Sequence, residues 1–120
     1  MAELSSIARP YAQAVFELAK ESGHYGPWSE ELEFLATVAA DKDMAALFSN
    51  PRVSRQQAAD IVIGLLGEAV GDEPKNLVRL LAQNRRLQAL SAIAEQYEIL
   101  RAEAERTIRA ELESALPISD

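Results

Sequence analysis

The chain has 120 residues, twelve basic against nineteen acidic, and a net charge of −7, so it holds one domain or one domain and a fragment of another. That balance argues against nucleic acid, whose affinity rests on Lys and Arg neutralising phosphates, and against an autonomous binder of anionic membranes. Cysteine is absent, which removes disulfides, thiol catalysis and thiolate zinc sites. No apolar run approaches the ~20 residues of a membrane span, and MAELSS lacks the basic and apolar regions of a secretory signal; the expectation is a soluble, cytoplasmic protein.

The periodicity is helical almost throughout. Ser5 or Ser6 can cap a first helix, with Pro10 in or just past its first turn, where a missing N–H costs little. Gly23, backed by Gly26-Pro27, ends it. Apolar residues cover an arc of about 200° on this helix, twice the stripe that one core requires. Its bulky side holds Leu4, Ile7, Tyr11, Val15 and Leu18, its small side Ala8, Ala12 and Ala19, and Ala14 lies at the edge.

A second helix runs from about Trp28 to Ala40 with Leu32, Leu35 and Val38 in stripe; the single Trp28 is expected to be partly buried close to helix one. Asp41 or Asp43 caps a short third helix that Asn50-Pro51 terminates. Ser54 opens a fourth, whose inner face reads as Ala58, Ile61, Val62, Leu65 and Ala69. Pro74 suits the first position of a fifth helix, 74–84. There Leu77, Val78, Leu81 and Ala82 share a face, while Leu80 projects about 60° away. The sixth and longest helix carries the seam Leu90, Ile93, Tyr97, Leu100 and Ala104.

The fold class is therefore all-α, a six-helix bundle over residues 1–106, followed by a tail at 107–120. In the tail Ile108, Ala110 and Leu112 alternate with Arg109, Glu111 and Glu113, a strand period. Extended chain, disorder and a continuation of helix six to about Ala115 all remain open.

Residues that carry chemistry are sparse. His24 is the only histidine and sits in a Gly-rich turn with no second imidazole. The carboxylates fall on polar helix faces, where a general acid–base pair would need an apolar pocket. GLLGEAVGD lacks the Lys-Ser/Thr of a phosphate loop, and NRRL at 84–87 reads as capping helix-five carbonyls and pairing with acidic neighbours. The reading is a non-enzyme without metal or cofactor. What is left is surface: two helices, one and five, each with an apolar surplus, as a docking site for a partner's amphipathic helix would have. Self-association and a wholly internal role are the alternatives.

The segments IARPYAQAVFELAKE (7–21), Trp28 with ELEFL, MAALFSNPRVS (44–54), KNLVRLLAQNRRLQAL (75–90) and SALPIS (114–119) resemble, in order and spacing, the N-terminal domain of the delta subunit of bacterial F-type ATP synthase, the oligomycin-sensitivity-conferring protein family. The resemblance implies a six-helix bundle in a non-catalytic stator subunit, which joins the catalytic head to the peripheral stalk. It also implies a peripheral position on the cytoplasmic face of the inner membrane, in a complex of ATP synthesis and hydrogen ion transport. It implies a groove between helices one and five for the N-terminal helix of an alpha subunit. Carried onto this sequence, the groove positions are Tyr11, Ala14, Val15 and Leu18 on helix one, and Asn76, Leu80, Leu81 and Gln83 on helix five. The family continues past SALPIS into a smaller domain that engages the stalk b subunits, so stalk binding is not expected of this chain; in isolation it should be a monomer. The competing reading is a generic helical adaptor or scaffold that takes another amphipathic helix or self-associates through the same groove.

Overall fold

The computed structural model describes residues 2–116. Six α-helices follow one another: α1 Ala2–Ser22, α2 Tyr25–Ala40, α3 Lys42–Ser49, α4 Arg55–Leu66, α5 Asp72–Gln83 and α6 Leu90–Ala115, the last entered through a short 3-10 turn, Leu87–Ala89. No strand occurs among the described residues. The all-α bundle is as expected.

The closest packing is among α1, α2 and α6; α4 and α5 form a second close pair, and α3 bridges α2 to the turn before α6. One continuous apolar core runs through both groups. Three long-range bonds align the first group. The Gln96 amide donates to the Ser5 carbonyl at 2.8 Å, the Tyr97 hydroxyl to the Tyr25 carbonyl at 2.7 Å, and Arg101 Nη1 to Ser29 Oγ at 2.7 Å. Glu31 on α2 accepts from the Gly71 N–H at 3.1 Å, which satisfies a backbone donor at the start of α5.

Helix boundaries follow local chemistry, with corrections. α1 starts at Ala2, before either serine, so Pro10 stands in the helix interior. Its ring removes one backbone bond there, and the helix continues through it on the strength of its packed face. Gly23, at φ +75°, closes α1, with its own N–H and that of His24 both donating to the Ala19 carbonyl. Gly26-Pro27 then belongs to the first turn of α2, where a proline forfeits no intrahelical bond. Trp28 is fully rather than partly buried, at 3% exposure.

Asp41, not Asp43, caps α3, its Oδ2 accepting from the N–H groups of Asp43 and Met44. Ser54 opens α4 in a reciprocal capping box with Gln57. α5 begins at Asp72, which puts Pro74 at its third position rather than its first.

The inner face of α4 is Ala58, Ala59, Val62 and Leu66: Ala58 and Val62 are as expected, but Ile61 and Leu65 are turned outward and Ala69 is exposed past the end of the helix. Periodicity sets the width of an apolar face but not which edge turns inward, and the paired alanines let the neighbouring helix approach closely.

The seam of α6 holds: Leu90, Ile93 and Tyr97 are buried, and Leu100 and Ala104 half-buried. Beyond them α6 continues as a helix across the 106/107 boundary, and every residue from 105 to 116 is exposed. The alternation in the tail does not make a strand here. No second strand is at hand to pair with, the stretch is rich in Ala, Glu, Arg and Leu, and Arg109 meets Glu113 one turn on at 3.6 Å. The end of the tail, 117–120, lies outside the described residues.

Candidate functional site

The side of α1 turned to the core is the small one, joined by Val15 from the bulky side. Ala8, Ala12, Val15 and Ala19, spaced 4-3-4, are all at or below 2% exposure. Leu4, Ile7, Tyr11 and Phe16 are half-buried at the margins. Ala14 is exposed, and Leu18 keeps 40% of its surface in solvent. On α5, Leu77, Val78, Leu81 and Ala82 are buried while Leu80 stands out at 47% exposure, as its angular position requires. Asn76 and Gln83 are exposed on the same helix, and Asn76 Oδ1 accepts from Arg79 Nη1 at 2.9 Å.

Of the eight groove positions, Val15 and Leu81 are thus core residues, at 2% and 0% exposure, and support the surface from beneath. The other six reach solvent. The two helices are tied at one point, where Asn84 Nδ2 donates to the Tyr11 hydroxyl at 3.0 Å; otherwise α1 and α5 are not a closely packed pair. Asn84, the C-terminal cap of α5, was not singled out from the sequence. No local signal in the sequence marks its pairing with Tyr11, 73 positions away. Arg85, next in line, has the left-handed conformation at φ +56°, and the Arg86 N–H closes the turn on the Leu81 carbonyl at 2.7 Å.

Exposed apolar side chains are not confined to these two helices. Ile61 and Leu65 on α4, and Ile99, Ile108, Leu112 and Leu116 on or just past α6, are also open. Sequence periodicity had placed the first two in the core.

Among the described residues no charged side chain is buried, and no three potential metal ligands converge. His24 is exposed at the start of α2 and makes no side-chain cap bond. The ion pairs are Arg101–Glu105 and Arg109–Glu113, each one turn apart within α6, so the arginines of NRRL pair with no carboxylate among the described residues. The phenol of Tyr97 has a displaced titration. Burial pushes its phenol above the usual tyrosine range, and the Ser29 hydroxyl and Arg101 offset this in part. No described helix is long and apolar enough to cross a membrane.

The family model for the ATP synthase delta (OSCP) subunit matches residues 7–120. The chain belongs to the ATP synthase delta (OSCP) family. It is 48% identical over its whole length to an ATP synthase subunit delta of Thioalkalivibrio sulfidiphilus, of which it covers 67%. It is 52% identical over 96% of its length to one of Alkalilimnicola ehrlichii, covering 65% of that protein. A third, from Laribacter hongkongensis, is 42% identical over the whole chain. The chain therefore spans about two thirds of the length of these delta subunits.

Proposed function

We propose that the chain serves as a non-catalytic part of the stator of ATP synthase, receiving the N-terminal helix of an alpha subunit between α1 and α5. The observation that carries this reading is the pair of exposed leucines, Leu18 and Leu80, on two helices joined at Tyr11–Asn84 without close backbone packing. An amphipathic helix laid there would cover both leucines and Ala14. The task is mechanical: torque from the central shaft must not turn the catalytic head, so the contact must dissociate slowly. A desolvated apolar contact serves that need better than rim charges, which act chiefly on encounter rates. Stalk binding belongs to the remaining third of the family's length, and the complex would hold this domain at the cytoplasmic face of the inner membrane.

The test is titration with a synthetic alpha-subunit N-terminal peptide, run on the parent and on Ala14→Asp. Ala14 is exposed, so a carboxylate there stays solvated in the free domain and stability should fall by about 1 kcal/mol or less, mostly the lower helix propensity of Asp. In the complex the charge would be buried without a partner, at a cost of several kcal/mol, so binding should weaken by roughly 100-fold or more. Undiminished binding by a normally melting variant would move the partner elsewhere. Association of the parent with itself in sedimentation, with no response to the peptide, would favour the scaffold reading.

A further inference from the structure

A cavity of about 530 Å³ opens between the end of α2, α3, the start of α4 and the turn that leads into α6. That size is typical of a site for a small molecule rather than a packing defect. Its wall includes Leu47 and Phe48 of α3, Val53 before α4 and Leu87 after α5. None of the eight groove positions lines it.

Arg55 and Arg85 also line it, together with Ser49, Ser54, Gln88 and Ser91, and no Asp or Glu does. Neither arginine has an acidic partner within ion-pair distance among the described residues. This is notable in a chain with seven more acidic than basic residues. Arg85 moreover holds a left-handed backbone, φ +56°, which a glycine would adopt without strain. Strain of this kind persists where surroundings over-determine it, and here it falls on a residue that lines the cavity.

We propose that this cavity is a binding site for an amphiphilic monocarboxylate, with the apolar chain against Leu47, Phe48, Val53 and Leu87 and the carboxylate between Arg55 and Arg85. The apolar part of this mixed lining supplies contact for the chain, and two arginines without acidic partners supply the preference for an anion. Octanoate is short enough to enter and stays monomeric at the concentrations required.

The experiment titrates octanoate and, separately, octanol into the ¹⁵N-labelled domain while amide shifts are followed. Octanoate should produce saturable shifts at Phe48, Val53 and Leu87 with a dissociation constant of about 1 mM; octanol should bind roughly tenfold more weakly. Arg55→Gln and Arg85→Gly should each weaken octanoate by roughly fivefold. Arg85→Gly also relieves the backbone, so it should melt at or above the parent temperature, which separates lost binding from lost fold. Equal binding of octanol and octanoate, shifts that never saturate or that centre on Leu18 and Leu80, or parental affinity in Arg85→Gly would each overturn the proposal.

Discussion

The two sides of α1 invert the usual relation between size and burial. Ala8, Ala12 and Ala19 are wholly covered, whereas Leu18, a much larger apolar group, is 40% exposed. Hydrophobicity alone would bury the leucine first, since it gains about three times as much from leaving water. Backbone approach reverses the order. A methyl group at each contact lets α6 lie close along the seam, with many dispersion contacts per residue. The bulky residues are left to cover the flank or to stand open. The alanine side of α1 is thus set for the bundle, and the leucine side is available to something else.

The strongest way to break this contrast is to enlarge the small side. Ala12→Leu forces a branched side chain into a site with 0% exposure. It should cost at least ~3 kcal/mol, the upper part of the range for overpacking, because α1 and α6 would have to separate. Urea unfolding followed by the buried Trp28 reads it. A variant as stable as the parent would mean that the interface is loosely packed.

An intermediate effect is expected at the polar bond across the same helical group. Tyr97→Phe removes the 2.7 Å bond to the Tyr25 carbonyl, which keeps its place in the α2 ladder, a loss of about 1 kcal/mol at neutral pH. The variant should also change the alkaline limb. Because burial raises the Tyr97 pKa in the folded state, the folded chain holds the phenolic proton more tightly than the unfolded one. That stabilisation is fully present below the ordinary tyrosine pKa of about 10 and is lost as pH rises through the higher folded value. Stability should therefore fall more steeply above about pH 10 in the parent than in Tyr97→Phe. Parallel curves would remove Tyr97 as the group responsible.

The smallest effect belongs to the outer side. Leu18→Ala should cost no more than about 1 kcal/mol of stability, since much of the leucine is already wet. The same change should weaken the alpha-subunit peptide by roughly tenfold or more. Comparable losses in folding and in binding would make Leu18 an ordinary packing residue and dissolve the distinction between the two sides of α1.

Helix number, the cap at Ser54, an Asp cap on α3 narrowed to positions 41 and 43, the stop at Gly23 and the α6 seam were all legible in the sequence, because each rests on chemistry within a few residues: a side-chain acceptor for a free N–H, a residue at ease with positive φ, a 3-4 apolar spacing. So was the outward position of Leu80, which needs only the angle per residue. The surplus on α1 could be seen, but not that its alanine side faced inward; that depended on how closely α6 approaches. Tertiary structure likewise decided that Ile61 and Leu65 face solvent and that Val15 and Leu81 are core. It also paired Asn84 with Tyr11, 73 positions away. Local rules fix the period and ends of a helix; its rotation about its own axis is settled only by the neighbour that packs against it, and with it the choice between core and contact surface.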